Sequence, residues 1–426
     1  MITAATIGHV IEYYDFTLYA IMATTLAPIF FTNQSASTAL LSTFAVFAVP
    51  FIARPLGGLI FGHFGDRIGR KKVLVLTILM IGAGCGLIGV LPTYETIGVL
   101  APVGLFLLRV IQGISAGGEL AGATTFVVES APQSRRGLFG GILGAGPLIG
   151  VASAAAAVLV LNTAFTPEQI TGWAWRIPFL VAFVLTGIAL YIRWQLEDSP
   201  EFLAARDADT LSTKPLQEAI VSNPRTVFRV FCVAFFSAVN GYASVVYMAT
   251  YLTKSLGHTP QFSSALTSFG FLAIAILIPF CGLLSDRVGR KPVLLASMVA
   301  AIVLVPSMMW LMGAVPTTIG VIIAFEAMGL VQVLVNSVSY TFFAESFPTN
   351  VRFSGMAIAF NCAQIAGGVT PFVATYLIQS TGNNLMPAYM VVVAAVIGIL
   401  GLRALPETGK SALRKAETSD CSAVTA

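Results

Sequence analysis

The chain is short of charge. Of its 426 residues, 10% are Asp, Glu, Lys or Arg, where a soluble protein carries about 25%. That deficit excludes a cytosolic enzyme, a disordered regulator and a nucleic-acid binder. Histidine and cysteine are scarce as well. His9, His63 and His258 form no cluster, and the five cysteines (Cys85, Cys232, Cys281, Cys362, Cys421) have no paired or metal-like spacing. A metal site is not expected. No Ser/His/Asp set appears either, so the chain does not read as an enzyme. What it has instead is apolar mass: 57% of the residues are hydrophobic, about 243 of them. A bilayer-spanning helix uses about 20 apolar residues, so this composition supplies about twelve.

Twelve apolar segments can be placed. Six run near 5–31, 39–62, 73–91, 98–122, 138–162 and 176–194. Six more run near 227–253, 263–284, 292–313, 317–343, 354–379 and 386–404. No cleavable leader precedes the first, which is therefore expected to remain as a helix. The fold expected is an all-α membrane protein of twelve transmembrane helices. Its division is an N-terminal six-helix bundle (1–194), a polar linker (195–226), a C-terminal six-helix bundle (227–404) and a tail (405–426). Loops after helices 2, 4, 6, 8 and 10, with the tail, hold 19 of the 23 basic residues when Arg193, Arg229 and Arg403 at the adjoining helix ends are counted with them. The positive-inside bias places both termini in the cytoplasm.

The chain also repeats itself. Gly62-x-x-x-Asp66-Arg67-x-Gly69-Arg70-Lys71 returns as Gly282-x-x-x-Asp286-Arg287-x-Gly289-Arg290-Lys291, and Glu129-Ser-Ala-Pro132 with Arg136 returns as Glu345-Ser-Phe-Pro348 with Arg352. Two motifs at nearly one offset, in one order and on one side, mark two homologous halves, a signature of secondary transporters. The glycines allow close helix approach. Asp66 and Asp286 can accept from a helix N-terminus or a nearby Arg. These residues form an expected cytoplasmic gate: Asp66, Arg67, Arg70, Glu129, Arg136, Asp286, Arg287, Arg290, Glu345 and Arg352. The pairs Glu129/Arg136 and Glu345/Arg352 fit the same latch, or are local surface pairs of little weight.

Charges inside helices cost about 2.5–3.5 kcal/mol each at the bilayer centre and need a reason. Glu12, Asp15 and Tyr19 share one face of helix 1, and Arg109, Gln112 and Glu119 share one face of helix 4. Counting about 1.5 Å per residue, Asp15 and Arg109 reach similar depths and are the expected intramembrane pair. Arg109 then meets a substrate carboxylate or an acidic partner, and one of Glu12, Asp15 and Glu119 carries a proton. Glu326 in helix 10 is a further proton candidate. Asn240, Ser244, Tyr247 and Tyr251 line one face of helix 7, and Asn336, Asn361 and Gln364 add amides from helices 10 and 11. These bind substrate or hold helices together. Arg54 and Arg176 read as snorkelling side chains. In helix 5 the glycines around Pro147 allow close packing and a bend. Leu405-Pro406-Glu407-Thr408-Gly409 matches a sortase signal, but it follows the last helix on the cytoplasmic side, so that reading is rejected.

The motifs resemble the major facilitator superfamily. More narrowly, they resemble its metabolite:proton symporter family, through Glu12-Tyr-Tyr-Asp15-Phe16, Arg54-Pro-Leu-Gly-Gly58 and Arg109-Val-Ile-Gln-Gly-Ile-Ser-Ala-Gly-Gly-Glu119. Trp175-Arg-Ile-Pro-Phe179 and Glu345-Ser-Phe-Pro-Thr-Asn-Val-Arg352-Phe-Ser-Gly355 extend the likeness. The resemblance implies proton-coupled import of a small carboxylate or zwitterion by alternating access, with helices 1, 4, 7 and 10 lining the cavity. Ala359-Phe-Asn361 and Asn384-Leu-Met-Pro-Ala-Tyr389 lean toward the proline/betaine permeases. The substrate residues expected are Asp15, Tyr19, Arg109, Gln112, Asn240, Tyr247, Asn336, Asn361 and Gln364. The proton is the coupling ion and no other cofactor is expected. The partners are a small-molecule substrate and the lipid bilayer of a bacterial inner membrane, without nucleic acid, around a monomer. Gly146-Pro147-x-x-Gly150 resembles an antiporter motif, which leaves a proton-coupled exporter as the alternative. A non-transporting substrate sensor is the rival from another class.

Overall fold

A computed structural model describes the backbone of residues 2–68, 70–194, 223–348 and 352–409, with the side chains at 2–5, 62–74, 192, 193 and 353 outside the described set. Most of the linker (195–222), the end of the tail (410–426) and the side chains of the gate residues Asp66, Arg67 and Arg70 therefore lie outside the described set.

A backbone in lipid must satisfy its own hydrogen bonds, which leaves helices as the form these apolar runs can take. Among the described residues twelve helical spans follow one another. They are α1 (Ile2–Ile21, resuming over Ala23–Phe30), α2 (Ala36–Ile68), α3 (Arg70–Val90) and α4 (Leu100–Ala116, then Glu119–Ser130). Next come α5 (Arg136–Ala164), α6 (Ile177–Trp194) and α7 (Pro224–Gly241, carried on by π turns Tyr242–Val246 and Tyr251–Ser255). The rest are α8 (Pro260–Val288), α9 (Arg290–Ala314), α10 (Thr318–Glu345), α11 (Arg352–Thr381) and α12 (Met386–Arg403). Among the described residues ten helices are long and apolar enough by themselves to cross a membrane. Most run past the apolar segments into the charged motifs, because a helix end costs unsatisfied carbonyls and N–H groups wherever it stops.

Helices α1–α6 and α7–α12 form two bundles. They meet along two seams, α5 on α8 and α2 on α11, which are equivalent under the repeat. The glycines of α5 permit the approach to α8: a Cβ on Gly137 would lie 2.4 Å from the Gly282 carbonyl and one on Gly141 3.1 Å from the Ile278 carbonyl, while one on Gly144 would lie 2.0 Å from the Asn336 carbonyl of α10. α5 is continuous through Pro147. Between α8 and α9, Gly289 takes φ +105°, which a side chain rarely adopts. This explains the glycine in the repeated motif.

The segment after α12 is docked. Leu405 is buried, and the Glu407 carboxylate accepts from the backbone N–H groups of Arg290 (2.7 Å) and Lys291 (3.0 Å), closing the first turn of α9. Burial alone would raise the Glu407 carboxyl, but the N–H groups of Gly409, Arg290, Lys291 and Thr408 hold it below its ordinary value. A depressed carboxylate stabilises above its unfolded pKa, about 4.3, and that contribution vanishes as pH falls through the folded value. Glu407→Gln is therefore expected to lose about 1 kcal/mol, the size of a lost helix cap, at neutral pH. The gap to wild type should close below about pH 4, as read by thermal unfolding in detergent across pH.

Candidate functional site

The acids of α1 do not share a partner. Glu12 pairs with Arg54 of α2. One turn on, the Asp15 carboxylate accepts from Gln112 Nε2 (2.8 Å) and lies 3.9 Å from Arg109 Nη1. Arg109 sits over the Tyr19 ring, 3.9 Å from its centroid, and the Tyr19 hydroxyl donates to the Thr43 carbonyl. None of the three Arg109 nitrogens has a hydrogen-bond partner among the described residues. The structure thus brings Asp15, Tyr19, Arg109 and Gln112 into one buried cluster.

Arg54 departs from the sequence reading. It does not snorkel: it is 1% exposed. Its guanidinium pairs with Glu12 and lies 4.9 and 5.1 Å from the centroids of Phe16 and Phe51. The side chain points at α1, where a carboxylate and two ring faces replace water. Arg176 is also tied down. It donates to the Gly89 and Leu91 carbonyls (3.2 and 2.7 Å) and stacks on Trp175, so it caps the end of α3.

Between the bundles lies a small cavity of about 40 Å³, room for roughly three waters. Its polar wall is Tyr13 of α1, Tyr242 of α7, Gln332, Asn336 and Tyr340 of α10, and Gln364 of α11. Phe360 and Pro147 close it with apolar surface. Tyr13, Tyr340 and Gln364 line the same cavity. Asn336 Nδ2 donates to Gln332 Oε1 (3.2 Å), and Gln332 Nε2 to the Asn240 carbonyl (3.3 Å). The lining corrects the expected set of helices: α4 contributes no lining residue among the described ones, while α5 and α11 do.

The other expected substrate residues divide. Asn336 and Gln364 reach the cavity, and Asn240 lies directly behind it, its amide oxygen facing Ser244 Oγ at 3.5 Å. Tyr247 is off the cavity and accepts from Thr375. Asn361 Nδ2 crosses between the bundles to the Gly117 carbonyl (2.9 Å), at the break in α4. Glu119, buried, opens the second part of α4, where a helix N-terminus favours a carboxylate. Glu326 is not with them: it lies against Gly270 of α8. The sequence reading missed Tyr13, Tyr242, Gln332, Tyr340 and the role of Arg54. Gln332, Asn336 and Tyr340 stand at i, i+4 and i+8, a one-face signal that was available on α10.

At the end of the bundle that carries the termini, charges join the halves. Arg352 Nη1 donates to Glu129 (2.7 Å), and the Asp286 carboxylate accepts from the N–H groups of Gly137 (2.7 Å) and Leu138 (3.0 Å) at the start of α5. Arg290 bridges Asp286 (2.9 Å) and Glu345 (3.3 Å). The local pairs Glu129/Arg136 and Glu345/Arg352 are not what forms. The chain turns at Pro132 between α4 and α5, so Glu129 faces the other half instead. Arg136 lies within electrostatic range of Glu345 and Asp286, and Arg287 is exposed. Glu129→Arg or Arg352→Glu alone is expected to open this end, and the double swap to reclose it. A single cysteine at Thr341, on the buried α5–α10 contact, should react about tenfold faster in each single variant, a shift of about 1.4 kcal/mol.

Comparison with known proteins agrees with this architecture. Residues 1–225 match the family of sugar (and other) transporters, and residues 230–424 match the major facilitator superfamily. The proline/betaine transporter of Escherichia coli (strain K12) is 34% identical over 431 residues, covering 97% of this chain and 85% of that protein. The glycine betaine/proline/ectoine/pipecolic acid transporter OusA of Dickeya dadantii (strain 3937) is 35% identical, covering 97% and 84%. Among solved structures, the proton:xylose symporter XylE bound to 6-bromo-6-deoxy-D-glucose superposes with a TM-score of 0.79 at 17% identity, covering 97% and 96% of the two chains. Two six-helix bundles closing on a small polar cavity define an integral membrane transporter of small molecules, not an enzyme. The chain belongs to the major facilitator superfamily, in its metabolite:proton symporter family.

Proposed function

We propose that the protein imports a small zwitterionic osmolyte of the proline/betaine kind together with a proton, by alternating access. The observation that carries this reading is the cavity: three tyrosines and three amides between the bundles, backed by the buried Glu12–Arg54 pair. Tyrosine faces suit a quaternary or secondary ammonium. Hydroxyls, amides and a guanidinium suit the carboxylate. The names of the relatives support the same substrate class. Both termini lie in the cytoplasm of a bacterial inner membrane on the strength of the basic-residue bias, and the ion network at that end is the closed inner gate of a monomer. The bundles rock about the central site, joined by the 195–226 linker. Inward proton movement supplies about 2.3 kcal/mol per 100 mV.

The test is proton flux in proteoliposomes with a pH-reporting dye outside. Proline and glycine betaine are expected to alkalinise the outside, and α-ketoglutarate, citrate and shikimate to leave it unchanged. If none moves protons inward and a preset gradient is dissipated by cationic or hydrophobic compounds, the protein is an exporter instead.

A further inference from the structure

Two buried arginines compete for the part of carboxylate anchor, and their surroundings differ. Neither α4, which carries Arg109, nor α2, which carries Arg54, gives a residue to the cavity among the described ones, but Arg109 is enclosed with Asp15, Gln112 and Tyr19, none of which lines it. Arg54 lies behind the cavity wall, one ring removed from it. Its guanidinium is 5.1 Å from the Phe51 centroid, Phe51 is 5.1 Å from the ring of Tyr242, and Tyr242 lines the cavity. Three cavity tyrosines, Tyr242, Tyr13 and Tyr340, are within electrostatic range of Arg54. The only ion pair recorded for Arg54 among the described residues is with Glu12.

We infer that Arg54 exchanges carboxylates during the cycle: with the cavity empty it holds Glu12, and with substrate bound it holds the substrate carboxylate while Glu12 carries the transported proton. This rests on the symport reading above. The physical reason is the cost of a buried charge. Glu12 is 2% exposed, and a carboxylate stripped of its cation at that burial is strongly destabilised until it is protonated. A proton on Glu12 in turn frees Arg54 for the incoming anion. Proton and substrate therefore favour the same state, which is what coupling requires.

The accounting closes. One proton arrives from the side opposite the termini and forms an O–H bond on Glu12. The Glu12–Arg54 ion pair is replaced by a substrate-carboxylate–Arg54 pair, and no covalent bond of the substrate changes. When the substrate leaves on the termini side, the proton passes to water and Glu12 returns to Arg54. One positive charge crosses per zwitterion. The substrate ammonium rests on the tyrosine faces and needs no counter-anion from Glu12. The titratable and charged groups facing Glu12 are Arg54 from α2, Tyr242 from α7, Tyr340 from α10 and Tyr13 on α1 itself. His9 stands one turn earlier on α1, 5.8 Å from the Tyr340 ring. Glu119 comes from the second part of α4, and Asp15–Arg109 lies one turn further on. α5 approaches α1 at this level through Gly146 and Gly150 and carries no titratable side chain between 137 and 164.

The experiment uses the full chain in proteoliposomes with radiolabelled glycine betaine. At about 100 mV, one co-transported charge sustains about fiftyfold accumulation. Glu12→Gln is expected to keep substrate counterflow within about threefold of wild type while accumulation falls to about unity and substrate-driven alkalinisation disappears. Glu12→Asp is expected to restore proton movement. If Glu12→Gln retains substrate-driven proton influx at the wild-type ratio, the assignment is wrong. It is also wrong if the folded variant loses counterflow, because Glu12 then binds the substrate ammonium. Calorimetry on wild type in two buffers of different ionisation enthalpy gives a readout free of any variant. Uptake of about one proton per glycine betaine bound is expected, and none overturns the inference. Failure of wild type to accumulate either proline or glycine betaine is a different result, and removes the symport reading itself.

Discussion

Arg54→Ala is expected to abolish accumulation and to destabilise the protein by about 3–5 kcal/mol, the cost of leaving one member of a buried ion pair alone. Both effects follow from its surroundings. The residue is 1% exposed, and its recorded charge partner is Glu12, itself 2% exposed. Removing the guanidinium takes away the cation paired with Glu12 and the contacts it makes with the Phe16 and Phe51 rings. The double variant Arg54→Ala/Glu12→Gln is expected to recover most of the stability, because a neutral pair carries no stranded charge. It is expected to recover no uptake. Arg54→Lys should also transport poorly, since an ammonium cannot stack on the ring faces and present a planar fork to a carboxylate. Thermal unfolding in detergent with glycine betaine uptake in proteoliposomes checks all three. Normal uptake by Arg54→Ala would remove Arg54 from the substrate site, and Arg109 would take its place as the anchor.

Gly113→Ala and Gly117→Ala are expected to cost about 3 kcal/mol or more each, the upper range for overpacking. A Cβ at Gly113 would stand 2.3 Å from the Pro50 carbonyl oxygen, and one at Gly117 2.0 Å from that of Arg54. In the other direction, a Cβ at Gly57 of α2 would stand 1.8 Å from the Ile114 carbonyl of α4. These are backbone atoms, so no side chain can swing away and the helices themselves must separate. Because α2 carries Arg54 at that contact, separation also shifts the guanidinium against α1. Gly187→Ala and Gly313→Ala are the controls. Nothing lies within 4 Å of either added carbon among the described residues, so the helix gains about 0.5–1 kcal/mol. A drop in the unfolding midpoint for the first pair and a rise for the second is the expected pattern. Equal behaviour of all four would refute the close α2–α4 approach.

Part of the candidate site was legible from the residue pattern, the Asp15–Arg109 pair and the cavity amides Asn336 and Gln364, and the misses have one cause. Glu12 and Asp15 are three residues apart, so they project about 60° apart around the helix. That is near enough to read as one face. It is also far enough to meet different neighbours, Arg54 of α2 and the Arg109–Gln112 group of α4. The latch errs in the same way: Glu129 and Arg136 are near in sequence, yet Glu129 finds Arg352 across the molecule, 223 residues away. Glu407 and Thr408 looked like the remnant of an unrelated signal, and they close α9 and reach Glu345.

The sequence by itself determined the solvent of this protein, the number of its spans, the twofold repeat and the family. Each of these depends only on local composition, period and recurring motifs. The tertiary structure alone decided which buried cation meets which acid, which helices wall the cavity and how the two halves latch. Those depend on the rotation and proximity of helices distant in sequence. Helical periodicity states which way a residue points around its own axis, but the neighbour it meets is set by close packing at glycines and by the cost of leaving any charge alone in lipid.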